Sequence, residues 1–266
     1  MLRFLSEQRQ SWADYREMSQ DWARVLARLP PTPSTTGVPT VPWYASGKMP
    51  LRRRWIWIED CPSIEVTKAE RRGLLPERGA QAVDFSSGVG RNALYLLKRG
   101  LHVRSIAYSD ADGTQCAFQR KWADRYQLAH PGCGSIDVVP GEFARYDLGS
   151  TQFDLVVCVN SLMYASMAIG REAILSLQRK TAVGGLHLIT TYTVADSYHG
   201  RAAVNSDSFV TSGRAGDDEL QCLYPASEWE HFGSSPGESF SRKDKYGRRR
   251  ERSVVVAKKR AGSVTM

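Results

Sequence analysis

The sequence predicts an α/β protein in which residues 80–260 form a doubly wound, mostly parallel sheet. Two observations carry this prediction. Apolar strand patterns alternate with helical patterns from Gln81 onward, and a glycine-containing turn at 86–90 separates the first strand from the first helix. Parallel neighbours need a crossover connection, which is usually a helix. We expect seven strands, of which the last two form a C-terminal β-hairpin, and a helical extension at the N-terminus.

Each element of this domain is predicted from a local pattern. Residues 80–85 are a short apolar run that suits a buried strand, and residues 91–99 are helical, with Gly100 as the stop. Four further strands are predicted at 102–107, 136–139, 153–159 and 186–192. Three further helices are predicted at 110–126, 171–182 and 219–232, the first with Asp110 as its N-cap. The hairpin joins 239–242 to 252–258 through a turn at Tyr246-Gly247.

The chain upstream of the sheet has a different character. Residues 5–29 carry aromatic and aliphatic side chains at spacings of three and four, which predicts a helix, and residues 30–50 are rich in Pro, Thr, Ser and Gly. We therefore divide the chain into a helical extension with a Pro-rich connector at 1–60, the α/β domain at 61–260 and a tail at 261–266.

Composition excludes several classes of protein. A hydrophobic share of 42% and a charged share of 24% are ordinary for a globular protein, and no run of 18 apolar residues exists to span a membrane. The five cysteines are odd in number and form no CxxC pair, which argues against disulfides and against a zinc site. We expect a cytoplasmic protein with no metal and no membrane partner.

The net charge of +8 is confined to one segment. Residues 242–260 hold ten Lys or Arg and two acidic residues, so this segment accounts for the whole excess. A basic segment of this kind keeps nucleic acid open as a partner.

The turn after the first strand has the features of a ligand site. Residues from Asp84 to Asn92 would present backbone N–H groups and a helix N-terminus at the carboxyl edge of the sheet, and Gly88 and Gly90 let a ligand approach the backbone closely. A turn that only packs the strand on the helix remains the alternative. No third glycine follows in Arg91–Leu97, which argues against a dinucleotide enzyme.

Four segments carry a resemblance to a known family. They are Asp84-x-x-x-Gly88-x-Gly90-Arg91-Asn92, Phe153-Asp154-Leu155-Val156-Val157 with Ser161-Leu162-Met163-Tyr164, Gln178 to Gly185, and Gly247 followed by Val254 to Lys259. Over residues 78–260 the sequence resembles the class I S-adenosylmethionine-dependent methyltransferases and, more closely, the tellurite-resistance methyltransferase family. The resemblance implies a Rossmann-like methyltransferase fold with S-adenosyl-L-methionine as the cofactor.

The same resemblance implies the site residues. The cofactor would be held by Asp84, Ser86, Gly88, Gly90, Arg91, Asn92, Glu142, Cys158 and Asn160. The methyl group and the acceptor would meet at Asn160, and Arg242 and Arg249 would attract an anionic acceptor. Candidates for closing the pocket are Tyr164, Tyr192, Tyr198 and His199. For Glu142 a solvated loop carboxylate, for Asn160 a backbone cap and for the arginines a solvated basic face remain alternatives.

Three positions depart from the family pattern, the first being Ser86, which replaces the glycine that opens the family's turn. Ala107 stands where the second strand usually ends in an acid that binds the ribose, and losing such an acceptor costs about 1.5–3 kcal/mol unless Ser109 or Asp110 replaces it. Ser241 stands in place of the family's histidine before Arg242.

Three functions follow. The first is methyl transfer to a small, soft, anionic nucleophile such as a thiolate or a chalcogen oxyanion. The second is a nucleic-acid methyltransferase or binder that uses the basic segment. The third is a non-catalytic binding module of the same fold. The oligomeric state is open at this point.

Overall fold

The computed structural model describes residues 62–108, 113–195, 207–212, 218–232, 240–243 and 249–262. Several predictions lie outside these residues: the helix at 5–29, the connector at 30–50, the turn at Tyr246-Gly247, and the side chains of Ser109, Asp110, Tyr198 and His199. The division of the chain at residue 60 stays a prediction.

The described residues form five helices and eight strands, in an order that alternates as predicted. The helices are α1 (Ile64–Arg71), α2 (Arg91–Lys98), α3 (Thr114–Ala129), α4 (Met167–Arg179) and α5 (Glu219–Cys222). The strands are β1 (Gln81–Phe85), β2 (His102–Tyr108), β3 (Ile136–Gly141), β4 (Phe153–Cys158), β5 (Thr181–Tyr192), β6 (Trp229–His231), β7 (Phe240–Lys243) and β8 (Arg249–Lys259). A single turn of 3-10 helix, Leu162–Tyr164, follows β4.

The sheet is doubly wound, as the sequence predicts. Its strand order is β3-β2-β1-β4-β5-β8-β6, with β7 paired to β8. Strands β1 to β5 pair in parallel, while β8 is antiparallel to β5, β6 and β7. The C-terminal hairpin is therefore present as β7 and β8, and β6 adds a strand to the seven that the sequence predicts.

The central strands are buried on both faces because helices cover both sides of the sheet. In β1 and β4, Val83 and Val156 pack in one core cluster with Leu177 of α4, while alternate residues such as Ala82 and Leu155 pack in a second cluster with α1 and α2. Because both faces of these strands are buried, their sequences are nearly continuous apolar runs and do not alternate between apolar and polar residues. Each fully buried aliphatic side chain stabilises the folded protein by roughly 1.5–3 kcal/mol relative to the same side chain exposed to water.

Four element predictions are wrong in type or boundary. The helix expected at 171–182 is α4, which spans Met167–Arg179 and ends before β5 begins at Thr181. The helix expected at 219–232 is only the short α5, and Trp229 instead begins β6, where it pairs with Lys259 and packs on His187. The helix expected from residue 110 begins at Thr114, and its N-cap is Gly113, with φ of 69°, rather than Asp110. Strand β5 begins at Thr181, and its register with β4 shifts between Phe153 and Leu155.

The topology brings the predicted site to one edge of the sheet. Strands β1 and β4 are parallel neighbours with Asp84 beside Val157, so the turn after β1 and Asn160 after β4 both lie beyond their carboxyl ends. In open α/β sheets ligands bind in the crevice at this edge. No helix among the described residues is long and apolar enough to cross a membrane.

Candidate active site

Asp84 anchors the start of the turn. It lies near the end of β1 with 1% of its surface exposed, and its Oδ2 accepts a 2.9 Å hydrogen bond from the backbone N–H of Ala93 in α2. Burial raises the pKa of this carboxyl group from 3.8 to about 7, against the opposing effects of the Ala93 N–H, Arg91 and Asn92. The group therefore ties strand to helix and titrates near neutral pH.

The turn itself has a left-handed backbone at several positions. Ser86 has φ of 63° although it is not glycine, and Gly88 and Gly90 have φ of 57° and 83°. Gly90 is the N-cap of α2, and a Cβ atom there would lie 2.5 Å from Oε1 of Gln119. At Gly88 the nearest atom to such a Cβ is Oε1 of Gln115 at 3.8 Å, so the backbone there is open to a ligand.

A polar network joins this turn to α3 and β2, and the sequence analysis did not predict it. Gln119 of α3 is fully buried, and its Nε2 donates to the carbonyl of Gly88 at 2.7 Å and to Oγ of Ser87 at 3.0 Å. The Ser105 hydroxyl of β2 bridges the same two side chains, at 2.8 Å from Ser87 Oγ and 2.6 Å from Gln119 Oε1. The only sign of this network in the sequence is that Gln119 lies on the apolar face of a predicted helix.

The end of β2 carries no acid among the described residues. Ala107 is fully buried in an apolar cluster with Cys116 and Val138. The nearby polar side chain is Gln115, whose Nε2 donates to the carbonyl of Tyr108 at 3.4 Å. Ala107 therefore packs in an apolar cluster where the resemblance implies the ribose acid, while Ser109 and Asp110 lie outside the described residues.

Cys158, the last residue of β4, and Asn160, which follows the strand, are in different environments. Asn160 has φ of 59°, is partly exposed, and donates its backbone N–H to Oγ1 of Thr190 in β5 at 2.9 Å. Cys158 points into the core, and burial raises the pKa of its thiol to about 12. Asn160 is thus partly exposed at the edge, whereas the Cys158 side chain is fully buried in the core.

The remaining predicted residues lie around this edge. Glu142 is exposed after β3, and burial together with the Glu142 charge raises the pKa of Tyr108 on the neighbouring strand. Asn92 is buried at the start of α2, where its Oδ1 accepts from the backbone N–H of Ser63 at 2.7 Å. The roles assigned to these side chains stay predictions.

The backbones of Arg242 and Arg249 are also at the carboxyl edge. Arg242 pairs with Arg250, and Arg249 pairs with Lys243, across the β7–β8 hairpin. Arg252 pairs with Tyr192, the last residue of β5, so Arg249 lies beyond the end of that strand.

A cavity lies at the other edge of the sheet. It has a volume of about 340 Å³ and is lined by residues that include Leu74, Asp154, Val183 and Lys258. These residues precede β1, begin β4 and β5, or end the antiparallel β8, so this cavity belongs to the amino edge and not to the glycine turn.

Comparisons with known proteins agree with the fold. Residues 83–189 match a family described as a methyltransferase domain, and no curated protein matches the sequence. TehB from Haemophilus influenzae is 19% identical, with a TM-score of 0.53, over 74% of this chain and 61% of that one. This chain thus spans less than two thirds of the TehB length.

A second solved structure is similar over more of its own length. The magnesium protoporphyrin IX methyltransferase ChlM from Synechocystis PCC 6803, with bound SAH, is 11% identical, with a TM-score of 0.50, over 75% of this chain and 81% of that one. At these identities both comparisons establish a shared fold.

Proposed function

Because this chain carries a class I S-adenosylmethionine-dependent methyltransferase domain, we propose that it transfers a methyl group to a small, soft and anionic nucleophile. The observation that carries the proposal is the juxtaposition of two sites at one sheet edge. The glycine turn follows β1, and the partly exposed Asn160 follows the adjacent β4.

The turn has the features that the cofactor needs. Gly88 leaves the backbone open, Gly90 begins α2 without a side chain, and the helix N-terminus favours a carboxylate such as that of the methionyl group. Asp84 supplies a buried negative charge once it is ionised. When bound, S-adenosylmethionine would supply an electrophilic methyl group. An anionic nucleophile would form the new bond to carbon with its own electron pair, the sulfonium sulfur would keep the pair of the broken S–C bond and leave as a neutral thioether, and no proton transfer would be needed.

The protein's part in such a reaction is alignment. Asn160 is held by Thr190 at the edge between β4 and β5, and in this proposal the acceptor and the methyl group meet beside it. Holding two reactants in a reactive geometry can lower the activation barrier by about 7–11 kcal/mol. Arginines bind anionic acceptors through paired N–H donors, and the β7–β8 hairpin brings Arg242 and Arg249 to this edge.

The likeness to TehB and the resemblance to the tellurite-resistance family support a thiolate or chalcogen oxyanion as the acceptor. The scattered cysteines support a cytoplasmic protein. The test is calorimetric titration with S-adenosylmethionine and S-adenosylhomocysteine, followed by turnover with a thiol, selenite and tellurite. Cofactor binding without turnover on any acceptor would favour a non-catalytic module, and no binding would refute the proposal.

The basic segment of residues 242–260 favours a second candidate, a nucleic-acid methyltransferase or binder. Phosphate contacts make binding steeply salt-dependent. Micromolar or tighter binding to RNA or DNA with a steep salt dependence would support this candidate over a small acceptor.

A further inference from the structure

Most of the exposed large apolar side chains in the described part of the chain lie at the carboxyl edge of the sheet. Six such side chains are exposed among the described residues. Four of them begin α1 or α4, or follow β4 or β5: Ile64, Ile169, Tyr164 and Val194. The other two, Leu128 and Val183, lie at the opposite edge, near the end of α3 and the start of β5. Single exposed apolar residues are ordinary on a protein surface, whereas a group of them at one edge marks an interaction site.

One segment of the chain, residues 207–211, connects this group on the side of β4 and β5. The backbone N–H of Phe209 donates at 2.8 Å to the carbonyl of the residue that follows Tyr164. The carbonyl of Thr211 accepts a 2.9 Å hydrogen bond from the backbone N–H of Val194. Residues 209 and 211 are at most about 7 Å apart along the chain, so Tyr164 and Val194 belong to one stretch of surface.

The surface along this segment is apolar as well. Val210 packs in one cluster with Met163 and the partly buried Tyr192. Ile169 extends the surface on the first turn of α4, whose N-cap Ser166 pairs with the same segment. We call the exposed and partly exposed members of this surface the apolar rim, which consists of Tyr164, Ile169, Tyr192 and Val194.

The apolar rim is continuous with the position of Asn160. Thr190 holds Asn160, and Tyr192 lies two residues further along β5, on the same face of the strand. On the side of β4, Tyr164 ends the turn of 3-10 helix that follows Asn160. In the proposed function the acceptor and the methyl group meet beside Asn160, so the rest of the acceptor would lie on the rim.

Charge near the rim does not favour an inorganic oxyanion. The segments that form the rim contain no Lys or Arg; they are residues 160–170, 190–195 and 207–212. Their one acidic residue is Asp207. Arg252 of β8 lies 5.7 Å from the centroid of the Tyr192 ring, but the Glu65 carboxylate lies 3.8 Å from its guanidinium and offsets its charge. An oxyanion gains nothing from apolar contacts, whereas a hydrocarbon group does.

We propose that the acceptor is a thiol that carries an apolar alkyl or aryl group, with its sulfur beside Asn160 and its hydrocarbon group on the apolar rim. The inference rests on the proposed function and narrows the acceptor from soft anions in general to hydrophobic thiols. The thiol would release its proton to solvent, and the thiolate sulfur would form the bond to the methyl carbon with its own electron pair. The sulfonium sulfur would keep the pair of the broken bond, so the products are a methyl thioether and S-adenosylhomocysteine.

A series of straight-chain thiols tests the apolar contact. Propanethiol, butanethiol and pentanethiol differ in the length of the hydrocarbon chain, while the thiol group stays the same. The kcat/KM of the wild type should rise roughly two- to fourfold with each added methylene group, because each one buries apolar area on the rim. Selenite and tellurite carry no hydrocarbon group and should be methylated less efficiently than pentanethiol.

Two substitutions remove apolar area from the rim, Tyr164→Ser and Val194→Ser. Each should lower kcat/KM for pentanethiol about threefold more than for propanethiol, because the longer chain loses more contact. Neither should change the affinity for S-adenosylhomocysteine, which calorimetric titration measures without turnover. Leu128→Ser and Val183→Ser are the matched controls, since they remove exposed apolar side chains at the opposite edge and should leave the dependence on chain length unchanged.

Circular dichroism checks that each variant is folded. The inference is overturned if the wild type methylates these thiols with no dependence on chain length, or methylates selenite or tellurite but no thiol. It is also overturned if the rim variants keep the dependence on chain length or the control variants lose it to the same extent. A wild type that does not bind S-adenosylhomocysteine, or that binds it and methylates no acceptor of either kind, would instead overturn the proposed function itself.

Discussion

The side-chain amide of Gln119 donates a 2.7 Å hydrogen bond to the backbone carbonyl of Gly88, across 31 residues of sequence. The same side chain fills the space that a Cβ at Gly90 would need. Gln119 thus satisfies the Gly88 carbonyl of the glycine turn and also leaves no room for a side chain at Gly90. The conformation of the turn depends on α3 as well as on its own glycines, and this dependence can be tested.

Replacing Gln119 with Leu should weaken S-adenosylhomocysteine binding about tenfold, because the Gly88 carbonyl and the Ser87 hydroxyl lose their donor and a lost hydrogen bond costs about 1–1.5 kcal/mol. Gln127→Leu on the same helix is the control, since its amide donates to Gly134, away from the turn. Titration calorimetry on the two variants would contradict the role of Gln119 if their affinities fell equally.

Replacing Gly90 with Ala should destabilise the protein and abolish cofactor binding. The backbone φ of 83° costs an L-residue about 1–2 kcal/mol, and the new Cβ would also collide with Gln119 at 2.5 Å. Gly184→Ala isolates the first effect, because Gly184 has φ of 79° and a Cβ added there would meet nothing within 4 Å. Urea denaturation should show a larger loss for Gly90→Ala, which Gln119→Ala partly restores. Equal losses at the two glycines would rule out the collision.

The buried Asp84 carboxyl should make stability depend on pH. Its pKa is raised to about 7 in the folded protein, so between about pH 4 and pH 7 the unfolded chain has released a proton that the folded chain retains. The free energy of unfolding of the wild type, relative to Asp84→Asn, should therefore fall with rising pH across this window by a few kcal/mol and level off above pH 7. Urea denaturation at pH 4.5, 6 and 7.5 measures the difference. A difference that stays constant would refute the raised pKa.

Substitutions in the basic hairpin formed by β7 and β8 can distinguish a small anionic acceptor from nucleic acid as the substrate. Arg242→Ala or Arg249→Ala should lower turnover with a small anionic acceptor severalfold and leave cofactor affinity unchanged, if these arginines act on the acceptor. Lys258→Ala is the control, since Lys258 lies further along β8, beside Phe232.

Lys259 is unsuitable as a control because its ammonium donates to the carbonyls of Gln178 and Thr181. A nucleic-acid function makes the opposite prediction for Lys258. Replacing Lys258 with Ala would then weaken RNA or DNA binding. It would also reduce the slope of log K against log salt concentration by about one, as the loss of each phosphate contact does.

The parts of the fold that the sequence determined are those with a local pattern. Apolar runs at 81–85 and 153–158 alternate with helical stretches, and the glycines at 88 and 90 mark where the backbone must turn. Side-chain periodicity depends only on the conformation of the segment itself, so strands and helices can be recognised without their neighbours. The segment at 219–232 was mispredicted because Trp229 belongs to a strand only through its pairing with β8.

The composition of the site was decided by the tertiary structure. Gln119 and Ser105, which hold the turn, lie on α3 and β2, and no spacing in the sequence relates them to the turn at 86–90. Hydrogen bonds and ion pairs act over a few ångströms in space, so which polar side chains meet is settled by packing between elements distant in sequence and not by the pattern within any one of them.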